Sequence, residues 1–256
     1  MRRRPTLLRL VRIGALALIG SSKPPAAYAA TVIASTYGVS RQQRPLVDYR
    51  IADAPKKVLI VGGIHAGTEA NTVSLVQDLF TAAQADPTIA PSGLSLTFLV
   101  SANPDGLAND TRTLASGVDP NRNWPTDDWA TDTYVSGPTL LPGGGGPYPL
   151  SEPETRALGE FVLQLRPDLI VSYHSAARLV TGGPRARALG LEAVYANTAG
   201  YATGDWTAYP VTGDFAQWAE STQQIPTIEI ELPDHENTDF DANLHGLQAS
   251  LLMLAN

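Results

Sequence analysis

Four short runs of apolar residues punctuate the chain: KVLIVGG (Lys57–Gly63), LSLTFLVSA (Leu94–Ala102), DLIVSYH (Asp168–His174) and TIEIEL (Thr227–Leu232). Runs of this length, rich in β-branched residues and ended by glycine or polar residues, predict strands buried on both faces. Between them the spacing changes. Glu69–Ala85 sets Val73, Val76, Leu79 and Phe80 three and four residues apart, one face of a helix. Ser151–Leu165 opens with Ser151 and Glu154 at capping-box spacing, and a closing helix is predicted near Asp239–Leu254. Such alternation predicts an α/β fold of one domain, with a mostly parallel sheet covered by helices on both faces. In open sheets of this kind ligands bind beyond the carboxyl ends of the strands.

Composition narrows the picture. With 256 residues, 43% of them hydrophobic, the chain can bury one substantial core. The N-terminal stretch holds Arg2, Arg3, Arg4, Arg9, Arg12 and Lys23 and no acid. With the apolar run Ile13–Gly20 and the small-residue exit Ala27-Tyr28-Ala29, it reads as an export signal over 1–29, leaving 30–256 as the mature domain. The run is too short for a membrane span, which needs roughly 20 apolar residues, so a secreted or periplasmic protein without a stable membrane anchor is expected. The mature chain then carries 12 basic against 25 acidic residues, a net −13, which argues against nucleic acid as a partner. With no cysteine, any metal must be held by imidazole and carboxylate. The Gly-rich stretch PGGGGPYP (Pro142–Pro149) has no lysine, so it is no phosphate-cradling loop and is expected on the surface.

The candidate chemistry gathers at the predicted strand ends. His65 follows the first apolar run, Glu69 lies four positions on, and His174 ends the third run. Two imidazoles and a carboxylate are a common catalytic zinc set, although the pair of histidines alone is a weak signal. His235, in the polar PDHENTD loop, and His245, on the last helix, are expected to face solvent. Two acids, Glu229 and Glu231, share one face of a single apolar strand, so periodicity cannot choose between them.

The order in which other motifs occur is more specific. NPDG (Asn103–Gly106), Arg112, GVDPNRNWP (Gly117–Pro125), SEPET, SYHS and EIELP follow one another along the chain. The set resembles the zinc carboxypeptidases of the M14 family, and among them the compact bacterial members related to murein peptide amidase. The resemblance implies a zinc carboxypeptidase-like sheet of about eight strands and one Zn2+ held by His65, Glu69 and His174. It implies Asp119 behind His65, Arg112 facing the oxyanion, and Asn121 and Arg122 gripping the substrate carboxylate. Arginine suits that last task because its planar fork meets a carboxylate with two parallel hydrogen bonds. Glu231, in the sequence Glu231-Leu232-Pro233, is implied as the general base in preference to Glu229. Tyr209 falls at the position of a mobile phenol, and Ala216 at the base of the specificity pocket, where a small neutral residue argues against basic side chains.

One departure matters. The family spells its first ligand pair H-x-x-E, whereas this chain reads His65-Ala66-Gly67-Thr68-Glu69, one residue longer. A bulge at Gly67, which glycine tolerates, would return Glu69 to the metal. The expected protein is a monomeric peptidase acting beside a free carboxylate of a peptide or a murein peptide. The rival is a non-catalytic peptide- or glycan-binding member with an altered metal site. A serine hydrolase is disfavoured: there is no G-x-S-x-G elbow, and Ser175 lacks the strand–turn–helix setting.

Overall fold

The computed structural model describes residues 31–256. The export signal expected over 1–29 lies outside the described residues. The strands are β1 (Val32–Val39), β2 (Pro45–Ile51), β3 (Lys56–Val61), β4 (Leu94–Leu99), β5 (Thr133–Ser136), β6 (Thr139–Leu141), β7 (Leu169–Ser175), β8 (Leu179–Gly182), β9 (Ala202–Thr203) and β10 (Thr227–Leu232). The helices are α1 (Asn71–Ala85), α2 (Pro104–Asn109), α3 (Pro153–Leu165), α4 (Pro184–Ala188), α5 (Leu191–Ala199), α6 (Phe215–Gln217), which runs on as a π-helical turn over Trp218–Thr222, and α7 (Phe240–Ala255).

Eight strands form one sheet in the order β1-β2-β4-β3-β7-β10-β8-β9, and β5–β6 is a separate hairpin. The central four, β4, β3, β7 and β10, run parallel, as their apolar sequences predict. The flanks turn antiparallel: β2 pairs with β4 and with β1, and β8 pairs with β10. Alternation along each strand feeds two cores. Val58 and Ile60 of β3, Val171 and Tyr173 of β7, and Ile228, Ile230 and Leu232 of β10 pack under α1, α5 and α7. Leu59, Val61 and Ile170 face the other way, against α3 and a cluster of Trp124, Phe215 and Trp218. On that second side β10 presents Thr227, Glu229 and Glu231, which explains how two acids sit in an otherwise apolar strand.

Three expectations need correction. The capping box is absent: α3 begins at Pro153 with Glu152 as its cap residue, and no side chain caps it. Glu154 instead accepts the Arg41 N–H at 2.7 Å, and Ser151 bonds Asn123, so both residues serve tertiary contacts. Helix α1 starts at Asn71, with Glu69 in a preceding 3-10 turn, and Leu75 rather than the half-buried Val73 completes its buried face. The Gly-rich stretch is not simply surface loop, since Gly144, Gly145 and Gly146 are buried. A Cβ on Gly145 would lie 2.0 Å from the Ala130 carbonyl oxygen, and one on Gly144 2.3 Å from Thr133 Oγ1. Side chains are excluded there by these neighbours, and the stretch also bonds to GVDPNRNWP, with Gly144 O accepting from Asp119 N and Gly145 O from Asn123 Nδ2.

Candidate metal site and pocket

The chain leaves β3 for β4 on one side and later places β7 on the other side of β3, so the sheet's direction switches between β3 and β7. That is where open sheets leave a crevice for ligands. His65 lies just beyond β3 and His174 near the end of β7. The five-residue spacing from His65 to Glu69 is absorbed at Gly67, whose φ is +59°. The turn leaves Thr68 exposed and brings Glu69 inward to 2% exposure. A side chain at Gly67 would pay for left-handed backbone, about 1–2 kcal/mol, and its Cβ would lie 3.0 Å from Arg112 N. Gly67→Ala is therefore expected to weaken zinc affinity about tenfold. Competition against a fluorescent chelator would measure this, and an unchanged affinity would mean that the turn does not position Glu69.

Three donors converge at this point. His65 Nδ1 lies 3.3 Å from His174 Nδ1 and 3.0 Å from a Glu69 oxygen, and His174 Nδ1 lies 3.4 Å from the other Glu69 oxygen. Bonds of about 2.0–2.1 Å to a tetrahedral zinc ion place its ligand atoms about 3.4 Å apart, so the N2O set has the right spacing and chemistry. No other group of three such side chains gathers this way among the described residues. Behind His65, Asp119 Oδ1 meets Nε2 at 2.9 Å and leaves Nδ1 turned inward. Burial and Arg112 disfavour the charged His65 ring, yet Glu69 and Asp119 outweigh them and raise its pKa. The carboxyls of Glu69 and Asp119 are held well below their usual range: burial opposes this, but both histidines act on Glu69, and His65 and Arg112 act on Asp119.

The motif GVDPNRNWP folds as a brace. Asp119 Oδ1 also accepts Asn121 N, Trp124 Nε1 donates to Pro120 O, and Trp124 is buried beside Phe215 and Trp218. Asn123 is spent on structure, donating to Gly145 O and Tyr148 O and accepting from Thr155. Asn121 donates one amide proton to Asp214 and accepts from Phe215 N. Arg122 is only 2% exposed, donates from Nη1 to Asn121 O, and stands over the Tyr209 ring at 6.0 Å, while its Nε has no partner. Arg112, also expected here, turns its Nη1 onto Glu69 and its Nε onto Asp119. The NPDG motif is scaffolding for it. Asn103 caps α2 through Gly106 N, and Asp105 ties the chain near Ser40, Gln42 and Arg44.

A pocket of about 490 Å³ runs from the three donors along β10 and β8. His65, Glu69, His174, Arg112, Asn121, Arg122, Tyr209, Ala216 and Glu231 all line it, so the residues named from the sequence share one cavity apart from the buried Asp119 behind it. Glu231 stands beside His174 across the β7–β10 ladder, and its Oε2 has no partner. Burial and Glu69 raise its carboxyl, while His174, His65 and Arg112 act in the opposite sense. Tyr209 is half-buried and edge-on to Trp206, at 5.2 Å between ring centroids.

Ala216 is small and neutral, but the cavity it lines is not wholly so. Asp214 and Glu229 line it too, acids that sequence spacing did not assign to it. The available signals were the period-2 relation of Glu229 to Glu231, and Asp214 as the cap residue of α6. Burial, Asp214 and Glu231 push the Glu229 carboxyl well above the ordinary range. His235 and His245 are exposed as expected, although His235 Nδ1 lies 3.0 Å from Ser175 Oγ. Ser175 Oγ also donates to Asn71 Oδ1 at 3.0 Å.

Comparison with known proteins agrees with this arrangement. A family model for Peptidase M14, zinc carboxypeptidase, matches residues 25–249. Murein peptide amidase A of Escherichia coli (strain K12) is 29% identical over 226 residues, covering 84% of this chain and 88% of that protein. The protein of the same description from Vibrio campbellii is 27% identical over 212 residues, covering 78% and 79%. The crystal structure of murein-tripeptide amidase MpaA from Escherichia coli O157 superimposes with a TM-score of 0.71 at 25% identity, over 91% of this chain and 96% of that one. Thrombin activatable fibrinolysis inhibitor, at 17% identity and a TM-score of 0.72, shares the fold over 89% of this chain. With the family model spanning nearly the whole chain, this protein belongs to the M14 family of zinc carboxypeptidases.

Proposed function

We propose that the chain is an exported zinc exopeptidase that cleaves the bond beside a free carboxylate, and that its substrates are murein peptides. The observation that supports this most is the common cavity: zinc-spaced donors at one end, an unpartnered Glu231 oxygen beside them, and the buried Arg122 beyond. His65, Glu69 and His174 would hold the ion. Zinc bound there lowers the pKa of water toward neutrality and polarises a carbonyl.

The remaining work falls to the side chains. Glu231 takes a proton from the attacking water and delivers it to the departing amine. Arg112, held from behind by Asp119, supplies positive charge where the carbonyl oxygen becomes negative. Arg122 and the second amide proton of Asn121 hold the carboxylate of the departing residue, which fixes cleavage one bond from that end. The Tyr209 ring lies 6.0 Å from the Arg122 guanidinium, at the edge of that carboxylate site. The murein assignment draws on the amidase relatives, and export draws on the basic and apolar pattern of residues 1–29. No helix among the described residues is long and apolar enough to cross a membrane. The extra residue that motivated a non-catalytic alternative is accommodated by the positive-φ turn at Gly67.

The test is product analysis by mass after mixing the mature protein with purified muropeptides and, separately, with linear peptides, each with and without a chelator. Release of diaminopimelate from the muropeptides, abolished by the chelator, is expected. Trimming of linear peptides alone would make the protein an ordinary carboxypeptidase. Absence of any chelator-sensitive hydrolysis, with under about a tenth of an equivalent of zinc bound, would favour the binding-only alternative.

A further inference from the structure

We propose that Asn71 is a positioning residue for the metal site: its side-chain amide clamps together the segments that carry Glu69, His174 and Glu231, and so keeps Glu69 inward despite its longer spacing from His65. The role rests on the metal-site reading above and deepens it by naming what fixes the donors in place.

Asn71 opens α1, two residues after Glu69, and is 7% exposed. Asparagine near a helix start commonly caps its own helix through the side chain. Here α1 has no side-chain cap, and the amide reaches away from it. Both Nδ2 protons go to carbonyls of one distant turn, Asp234 O at 2.8 Å and Asn237 O at 2.9 Å. Oδ1 accepts from Ser175 Oγ at 3.0 Å. Turning the amide over would set its oxygen against two carbonyl oxygens, so the hydrogen bonds admit one orientation.

Each partner belongs to a different part of the site. Ser175 follows His174 directly, and its backbone N–H donates to Glu69 Oε2 at 3.3 Å. The 234–237 turn leaves β10 just after Glu231, where Leu232 pairs with Ser175. That turn is braced from within, since Asp234 Oδ1 accepts the N–H groups of Glu236 at 2.8 Å and Asn237 at 2.7 Å. Its two carbonyls therefore form a firm anchor for the amide.

The longer spacing gives the clamp its purpose. Between His65 and α1 the chain passes through the left-handed Gly67, which has no side chain to hold it. What side chains can hold is the exit from that turn. Thr72 Oγ1 donates to Glu69 O at 2.8 Å and accepts from Gly63 N at 3.1 Å, which ties the exit to the end of β3. Asn71 ties the same exit to β7 and β10. A ligand set works only within about 0.5 Å of its productive geometry, so a helix start free to tilt would take Glu69 out of reach.

The experiment compares wild type, Asn71→Ala, Ser175→Ala and their double variant with Leu79→Ala. Leu79 is 1% exposed, and its truncation opens a cavity under the same helix while leaving the amide and its partners in place. Zinc affinity is read by chelator competition, and ligand geometry by the visible absorption bands of the cobalt-loaded protein. Hydrogen exchange of the metal-free proteins is followed at Glu69 and Ser175, whose amide protons are bonded to Ala66 O and Glu69 Oε2.

Asn71→Ala is expected to weaken zinc at least about tenfold, as loss of the shell behind metal ligands does, to shift the cobalt bands, and to speed exchange at those two amides. Ser175→Ala should weaken zinc less and add little in the double variant, because the two act through a shared bond. Leu79→Ala should lower the melting temperature and leave affinity and bands as in wild type. Wild-type affinity and bands in Asn71→Ala, whatever its stability, would overturn the proposal, as would equal losses in Leu79→Ala. If wild type binds no zinc, the metal-site reading fails separately, and exchange in the metal-free proteins decides the clamp: faster at Glu69 and Ser175 upholds it, unchanged overturns it. Should Asn71→Ala fail to fold, Ser175→Ala carries the test, and unchanged affinity and bands there would overturn the proposal.

Discussion

Glu231→Gln is expected to lower kcat at least about 100-fold, the usual contribution of a positioned proton-transfer group, while zinc stays bound. Glutamine matches the shape of glutamate and still donates and accepts hydrogen bonds, but it cannot take up a proton from water. Glu231 is not among the three convergent donors, so metal content should not change. The measurement pairs steady-state kinetics with metal analysis of the same preparation. A variant within about tenfold of wild type, well short of that contribution, would place the base elsewhere. Loss of zinc along with activity would mean that Glu231 supports the ion rather than the proton.

Glu69→Ala should have a comparably large effect by another route. It removes the only carboxylate of the donor set and leaves two imidazoles, too few for the three protein ligands of a catalytic zinc site. It also takes from the Arg112 guanidinium one of its two ionic partners, leaving Asp119. Wild type is expected to melt higher with zinc, by about 2.7 kcal/mol of added stability at a hundredfold excess over Kd. The variant should show no such shift and retain no metal through dialysis. A full zinc-dependent shift in Glu69→Ala would take Glu69 out of the metal site and revive the altered-site reading of its spacing.

The parts of the fold legible in the sequence were those where the environment is uniform. Strands β3, β4 and β7 are buried over most of their length, so a mainly apolar run stands out, and in β10 the alternating Ile228, Ile230 and Leu232 mark the buried face. The flanking strands gave no such signal. Strand β1 reads VIASTYGV and is largely exposed, so neither alternation nor a continuous run marks it, and β9 is only two residues long.

The site was legible through motif order, because His65, Asp119, Arg122 and His174 sit in short, distinctive strings. What those strings could not convey was which acids the fold would add. Glu229 and Asp214 become pocket groups only because α6 is laid over β10, a contact between distant parts of the chain. The Gly-rich stretch misled for a related reason. Glycine marks both an open loop and a backbone pressed against another, and composition does not separate the two.

The parallel pairing of β3, β7 and β10 bears on how the protein is made. Val58 lies beside Leu169, and Glu231 beside His174, so the strands that carry the chemistry are neighbours in space but far apart along the polypeptide. Joining them requires closing long loops before any pairing is rewarded, which slows acquisition of the native state. A metal ion held by His65, Glu69 and His174 would be captured only at the end of that process: the histidines sit at the ends of two of these strands, and an incomplete sheet offers an ion no more than isolated side chains.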